Sequence, residues 1–392
     1  MKDEYDVIVV GGGPAGSTAA RFAAEGGASV LMLEKDRDIG MPVRCGEAVG
    51  AEGLKRFIEP NPKWIATTID AFRLVAPSGK YVDIENLAEA GYVLDRRMFD
   101  YELALIAGNQ GVAILTKAYV YDLVKNGDEI IGVKATYLSE EIDFRAKIII
   151  AADGVESRVG RWAGLKTTIK IKDMEAAIQM SVSNISCKSN RLDFYIGSNI
   201  APGGYLWVFP KGDNFANIGL GVGGIHHKHK SAREYLEEFM SSYYPDAAIL
   251  TTVVGGVPCA HTLPKIATDN LMICGDAAHM VNPVTGGGIV SGMQGGRLAG
   301  TRAAEAVITK DYSYKFLKKY EKDWDKLLGK NYERMYKIKT AVVKLTDDDL
   351  NRTADVIGGL SPSDRNLKKV FTTALLKHPK LLISVARAFA GI

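Results

Sequence analysis

The sequence predicts an α/β protein with a doubly wound parallel sheet, an inserted antiparallel sheet and a helical C-terminal region. Three patterns indicate this fold. A short apolar run at residues 5–10 ends in glycines and leads into a helix at 14–25. Residues 175–224 alternate between apolar and polar in strands separated by turns, and residues from 311 on have helical periodicity.

The remaining elements extend the parallel sheet. Residues 28–33, 146–151 and 271–274 are short apolar runs typical of strands that are buried on both faces. Further predicted elements are a hairpin at 72–84, helices at 96–107 and 288–308, and strands at 112–124 and 130–136. We therefore expect a discontinuous nucleotide-binding domain (1–68, 96–165 and 262–310), a substrate domain (69–95 and 166–261) and a helical domain (311–392).

Composition narrows the functional classes. The chain has 392 residues and a net charge of +3, which gives no electrostatic reason to expect nucleic-acid binding. Its four cysteines are scattered, as in a protein of the reducing cytosol. Since no apolar run approaches the roughly 18 residues of a membrane span, we expect a cytoplasmic protein that contacts a membrane only peripherally, at its inner face.

A glycine motif predicts a dinucleotide site. Gly11, Gly13 and Gly16 form G-x-G-x-x-G between the first strand and the first helix. Such glycines permit a tight turn, close approach of a pyrophosphate and close helix packing, and the helix N-terminus favours the phosphate charge. Glu34 ends the second strand, where a carboxylate binds a ribose diol.

A second glycine-rich segment favours a flavin over a nicotinamide. Gly275 and Asp276 follow a buried strand, and the run 283–289, PVTGGGI, leads into a helix. An aspartate at this position can accept hydrogen bonds from a ribityl chain. The helix N-terminus favours the negative charge of a reduced flavin ring.

Five segments carry a resemblance. VVGGGPAGSTAARFAAEGG, AADGVESRVGRWAG and GDAAHMVNPVTGGGI resemble the FAD motifs of the p-hydroxybenzoate hydroxylase-like flavoproteins, with Rossmann-type FAD-binding domains. PVRCGEAV and the P-x-x-Y-x-W-x-F-P pattern at 202–210 resemble the geranylgeranyl reductase family. Within it, the chain is most similar to members that act on archaeal-type ether lipid precursors in phospholipid biosynthesis.

The resemblance implies an FAD site and a reaction. The implied FAD contacts are Gly11, Gly13, Ala15, Gly16, Glu34, Arg44, Cys45, Gly46, Ala48, Arg96, Val120, Asp276, Gly288 and Ile289. The implied reaction saturates isolated C=C bonds of geranylgeranyl chains with a hydride from flavin N5 and a proton. The proton could come from Cys45, Tyr205 or a bound water, and Cys45 could instead only pack. The electrons would come from an external donor: a ferredoxin, a reduced deazaflavin or NAD(P)H.

The stretch APGGYLWVFP at 201–210 is the candidate substrate wall. In a strand, Tyr205, Trp207 and Phe209 share one face, while Leu206 and Val208 point into a core. Such a row of rings suits a long apolar chain; plain core packing is the alternative interpretation.

The histidines and the basic C-terminal segments are not predicted to take part in catalysis or metal binding. The histidines at 226–229 lack carboxylate or cysteine partners at ligand spacing, so no metal site is expected. His279 is interpreted as packing. Residues 314–344 hold ten Lys/Arg against four Asp/Glu with interleaved apolar residues. This pattern is typical of a solvated helix face, with lipid contact as the alternative; the tail LLISVARAFAGI is a second candidate for lipid contact.

Three other functions stay open at this point. They are a chlorophyll-type geranylgeranyl diphosphate reductase, an FAD aromatic-ring monooxygenase, and a flavin-bearing lipid-binding or electron-transfer protein without turnover. The headgroup of the prenyl substrate does not follow from these residues.

Overall fold

The computed structural model of the chain describes residues 4–85, 91–226, 230–361 and 364–365. These residues form two compact units. The first contains residues up to Pro42, Arg96–Ile169 and Pro258–Glu333. The second contains Val43–Asp95, Lys170–Val257 and the residues from Arg334 on.

Strands and helices are numbered in chain order. The strands are β1 (Glu4–Val10), β2 (Val30–Leu33), β3 (Ala48–Gly50), β4 (Ile65–Ile69), β5 (Ala71–Val75), β6 (Tyr81–Ile84), β7 (Gly91–Leu94), β8 (Ala113–Leu115), β9 (Ala118–Asn126), β10 (Glu129–Tyr137), β11 (Glu140–Ala151), β12 (Met174–Ser183), β13 (Arg191–Tyr195), β14 (Tyr205–Pro210), β15 (Phe215–Gly223), β16 (Ala248–Pro258), β17 (Ala267–Thr268) and β18 (Leu271–Ile273). The helices are α1 (Pro14–Glu25), α2 (Ala51–Leu54), α3 (Arg96–Asn109), α4 (Arg158–Trp162), α5 (Ala232–Tyr243), α6 (Ile289–Thr309), α7 (Tyr314–Leu317), α8 (Lys319–Trp324), α9 (Lys330–Val342) and α10 (Asp347–Gly358).

The first unit is built on an eight-stranded sheet. Its main path runs β17–β18–β11–β1–β2–β8, and β10 and β9 continue from β11 as antiparallel strands. The central pairs, β1 with β2, β1 with β11 and β11 with β18, are parallel. Val7, Ile8 and Val9 of β1 are fully buried, which explains the uninterrupted apolar run in the sequence. The predicted parallel core is confirmed.

Helices α1 and α6 of this unit touch through their backbones. A Cβ placed on Gly296 would lie 2.2 Å from the carbonyl oxygen of Ala15, and one on Gly300 would lie 2.2 Å from that of Ala19. Such distances exclude any side chain at the two glycines. The two helices therefore lie as close together as their backbones permit.

The second unit contains two sheets. The larger sheet has the order β16–β12–β15–β14–β13–β5–β6. As predicted, the neighbouring strands from β12 to β13 in this order are antiparallel. Strand β13 pairs parallel with β5. One face of this sheet packs on α5, whose N-terminus is closed by a capping box between Ser231 and Glu234. The smaller sheet has the order β3–β7–β4.

The compact units differ from the predicted domains by four residues at 166–169 and at 258–261, and more widely at two places. Residues 43–68 pack within the second unit, because they supply β3 and β4 of its small sheet. The predicted helical domain is divided: Leu317, Tyr320 and Trp324 are buried in the core of the first unit, whereas α10 belongs to the second. The part of that domain at 366–392 lies outside the described residues.

The α1–α6 contact yields a stability prediction. Gly296→Ala should lower the free energy of unfolding by about 2–3 kcal/mol, because the new methyl group overlaps a backbone oxygen. Urea denaturation measures the loss. Gly108→Ala in α3 is the matched control, since its Cβ would meet only Ile114 Cδ1 at 3.8 Å; its stability should stay level or rise by up to about 1 kcal/mol. Equal losses in both variants would contradict the contact.

Candidate functional site

The turn between β1 and α1 requires its glycines. Gly11 has φ +102°, and its Cβ would lie 2.3 Å from the carbonyl oxygen of Ala152. A Cβ on Gly16 would lie 1.9 Å from the carbonyl oxygen of Gly11. In contrast, no described atom comes within 4 Å of the Cβ position of Gly13, which caps α1. The turn is therefore tight on its protein side and open at the helix N-terminus, where a phosphate binds.

Glu34 is fixed next to this turn. Its carboxylate accepts hydrogen bonds from the backbone N–H of Gly12 at 2.7 Å and of Asp36 at 2.9 Å. Each carboxylate oxygen can still accept a hydrogen bond from a hydroxyl group. This geometry suits the ribose diol expected from the sequence.

The second glycine-rich segment lies against the first. A Cβ on Gly275, which has φ +68°, would lie 2.8 Å from Ala15 Cβ in α1. Asp276 Oδ1 lies 3.2 Å from the Cβ position of Gly288, the N-cap of α6. Burial raises the pKa of the Asp276 carboxyl, and the positive charge of Arg96 acts in the opposite direction. The structure thus brings both predicted half-sites together, and Ile289 opens α6 beside them.

Two implied contacts have other partners. Arg96 donates from Nε and Nη2 to the buried Asp100, at 2.7 Å each, so its charge is engaged in a bidentate ion pair. Val120 is 7% exposed and packs in the core of the first unit. A role of Arg96 toward phosphate and of Val120 toward adenine stays a prediction.

The first unit fits FAD. Two helix N-termini, each preceded by glycine, lie next to each other with one carboxylate on each side. Asp153 adds an acceptor beside the Gly11 turn: its Oδ1 is buried and has no hydrogen-bond partner among the residues that the structure describes. Such a site offers hydrogen-bond acceptors for ribose and ribityl hydroxyls and backbone donors for a pyrophosphate.

The segment RCGE belongs to the second unit. Cys45 is partly exposed, and its Sγ accepts a hydrogen bond from the backbone N–H of Glu47 at 3.2 Å. A Cβ on Gly46 would lie 2.9 Å from Phe209 Cε2, so this glycine permits close contact with the ring. Ala48 begins β3, and Arg44 is exposed.

Strand β14 has the two faces expected from its sequence. Leu206 and Val208 are buried in the core beneath α5. Tyr205 and Trp207 are partly exposed on the other face, and Phe209 is 6% exposed. Phe209 is thus mainly a packing residue, whereas Tyr205 and Trp207 present ring surface.

Two further rings complete this face. Phe194 lies 5.5 Å from Tyr205 and 5.4 Å from Phe209 between ring centroids, and Phe72 lies 5.9 Å from Phe194. We call Phe72, Phe194, Tyr205, Trp207 and Phe209 the aromatic cluster. Phe72 and Phe194 were not among the predicted site residues, although the alternation in the strands that carry them was a usable signal.

Trp207 is held in one orientation. Its Nε1 donates to Gln179 Oε1 at 3.1 Å, and its ring lies over Gly219, whose Cβ would come within 2.5 Å of Cζ2. The indole is therefore a rigid, partly exposed surface.

The remaining sequence features have structural partners. His279 is buried, with Nδ1 3.1 Å from the carbonyl oxygen of His261 and Nε2 3.2 Å from that of Thr167. The described residues contain no cluster of potential metal ligands; three of the four residues of the histidine-rich run, 227–229, lie outside them.

The basic segment and the C-terminal tail were the candidates for lipid contact. In the basic segment, Leu317, Tyr320 and Trp324 point into the core, and its lysines 315, 318, 319, 322, 326 and 330 are exposed. The tail at 381–392 lies outside the described residues. No helix in the described ranges has the length and apolar character needed to cross a bilayer.

Comparisons with known proteins define the class. A family model of FAD dependent oxidoreductases matches residues 6–196. A flavin-dependent brominase, 16% identical, has a TM-score of 0.72 over 96% of this chain and 100% of its own, which shows a shared fold. The chain is an FAD-dependent oxidoreductase, and FAD is its cofactor.

The family follows from closer relatives. A model of the geranylgeranyl reductase catalytic domain matches residues 173–257. The digeranylgeranylglycerophospholipid reductase of Methanocella arvoryzae is 45% identical over 97% of this chain and 98% of its own. A geranylgeranyl bacteriochlorophyll reductase-like protein from Thermoplasma acidophilum is 35% identical, with a TM-score of 0.92 over 98% of this chain and 99% of that one. The chain belongs to the geranylgeranyl reductase family.

The open space at Gly13 predicts a binding defect without a folding defect. Gly13→Ala should leave the free energy of unfolding of the apoprotein unchanged, because its Cβ meets no described atom. The Kd for FAD should rise about tenfold or more, since a phosphate bound at this helix N-terminus would meet the methyl group. Gly358→Ala in α10, which is equally open, is the control. Unchanged FAD affinity in Gly13→Ala would place the phosphate elsewhere.

Proposed function

We propose that the protein saturates isolated C=C bonds in the geranylgeranyl chains of an archaeal-type ether glycerophospholipid precursor. The observation that carries this proposal is the partly exposed face of Tyr205 and Trp207. It lies within the stretch that matches the geranylgeranyl reductase catalytic domain. The names of the relatives from Methanocella arvoryzae and Methanococcoides burtonii, the second 42% identical over 98% of this chain and 94% of its own, support the same substrate class.

Reduction of an isolated C=C bond requires a hydride and a proton. An isolated trisubstituted alkene has no carbonyl group to stabilise a carbanion, so hydride addition at one carbon requires a proton at the other. Bound FAD, once reduced, supplies the hydride. The chain must bind the alkene, exclude water and hold a proton.

Two side chains of the second unit can hold that proton. Cys45 is partly exposed and carries a thiol, whose S–H is a weak donor. Tyr205 carries a phenolic O–H on the partly exposed aromatic face. We propose Cys45 and Tyr205 as the candidate proton donors and Arg44, Cys45, Gly46 and Ala48 as flavin contacts, as the family motif implies.

The aromatic cluster suits a polyprenyl chain. Burial of a five-carbon isoprene unit contributes about 4 kcal/mol at about 0.8 kcal/mol per carbon. Ring faces make few directional contacts with an alkyl chain, so successive double bonds can bind in the same place. Trp207, fixed by Gln179, keeps this surface in one orientation.

The lipid substrate and the redox chemistry imply further partners. We propose peripheral contact with the cytoplasmic face of a membrane. It is supported by Ile171 and Ile225, which are 66% and 55% exposed, and by the exposed lysines at 170 and 172 on either side of Ile171. The electrons would come from an external donor: a ferredoxin, a reduced deazaflavin or NAD(P)H.

An anaerobic turnover experiment tests the function. FAD-loaded protein, reduced with dithionite, is mixed with digeranylgeranylglycerophospholipid, with geranylgeranyl diphosphate or with a phenol, and products are analysed by mass spectrometry. We expect the glycerophospholipid to gain mass in steps of about 2 Da, one H₂ per bond. If only geranylgeranyl diphosphate were reduced, the protein would be a geranylgeranyl diphosphate reductase. Phenol-dependent oxygen consumption in air would indicate a monooxygenase.

Trp207 provides the mutational test. Trp207→Ala should lower kcat/KM for the lipid about tenfold or more, because it removes a large apolar contact. The FAD content should stay at one per chain. Tyr81→Ala, which removes a 55% exposed ring of β6, is the matched control and should retain lipid turnover. Loss of flavin from Trp207→Ala with normal turnover per bound FAD would assign the indole to structure instead.

A further inference from the structure

Glu47 is a buried acid in an unusual backbone conformation. It is 2% exposed and has φ +72°, in the left-handed region. This conformation costs a residue other than glycine about 1–2 kcal/mol. Glycine would relieve the strain, so the structure points to a requirement for the carboxylate.

The carboxylate is held by a network from the large sheet of the second unit. Oε2 accepts from Lys211 Nζ at 2.8 Å and from Asn217 Nδ2. Asn217 is fully buried, and its Oδ1 accepts from Ser181 Oγ at 2.7 Å. The Lys211 side chain is 14% exposed. A buried carboxylate with a cationic partner and a second donor is fixed in position.

The backbone of Glu47 is hydrogen-bonded to the Cys45 thiol, so the position of Glu47 restrains the thiol. Its N–H donates to Cys45 Sγ at 3.2 Å, and its carbonyl oxygen accepts from the backbone N–H of Leu94 in β7 at 2.9 Å. Gly46, which lies between Cys45 and Glu47 in the chain, contacts the Phe209 ring. One residue thus joins the thiol, the small sheet and the strands of the aromatic cluster.

We propose that Glu47 is a positioning residue that, through Lys211 and Asn217, fixes the Cys45 thiol relative to the aromatic cluster. The functional meaning of this role rests on the proposed part of Cys45 in lipid reduction. Glu47 itself is assigned no proton transfer.

The test is residue-specific alkylation of the full-length, FAD-loaded protein by iodoacetamide without lipid, with the modified peptides quantified by mass spectrometry. Cys187 is the internal reference, since burial raises the pKa of its thiol to about 11 and global unfolding would expose both cysteines together. In Glu47→Gly, the ratio of the Cys45 rate to the Cys187 rate should rise roughly tenfold, because the segment opens locally. Lys211→Met should change the ratio in the same direction.

Asp83→Asn is the matched control, because it removes the acid of another ion pair in the second unit, Arg73–Asp83. Its ratio should equal that of the wild type. An unchanged ratio in both Glu47→Gly and Lys211→Met, or rates that rise together at both cysteines, would overturn the positioning role. The ratio needs no turnover, so failure of the wild type to reduce lipid would overturn only the proposed function.

Discussion

The first unit depends on the direct backbone contact between α1 and α6. Where Gly296 and Gly300 meet the carbonyl oxygens of Ala15 and Ala19, no side chain separates the two helices. The contact places the N-terminus of α6, with Asp276 and Gly288, beside the N-terminus of α1, with Glu34. Two motifs that are distant in the chain therefore lie next to each other.

In the second unit, the side chains of β14 alternate between a buried face and a partly exposed face. One face of β14 supplies Leu206 and Val208 to the core under α5, and the other presents Tyr205 and Trp207. The indole can lie flat because the neighbouring strand has Gly219 beneath it. The rings are thereby rigid without being fully covered. A surface of this kind suits an apolar chain that must bind in several registers during successive reductions.

The local part of this architecture could be predicted from the sequence. The strand–glycine–helix unit, Glu34 and the two faces of β14 follow from spacing within a few residues, and the structure has them where they were expected. Individual side-chain contacts between distant segments could not be predicted. Lys211 and Asn217 meet Glu47 across more than 160 residues, and nothing in their local sequence marks a buried ion pair. The small sheet β3–β7–β4 was missed because its strands are three to five residues long and carry no clear alternation.

We propose that one site in the first unit binds both halves of FAD. Equilibrium titration of the apoprotein with FAD, FMN and NAD gives the Kd of each nucleotide and tests this proposal most directly. If Glu34 and Asp276 accept hydrogen bonds from the two halves of FAD, FMN and NAD each lose the contacts of one half. We expect FAD to bind at least about a hundredfold more tightly than either FMN or NAD. Equal affinities for FMN and FAD would contradict it, because the adenosine half-site would then contribute no binding energy.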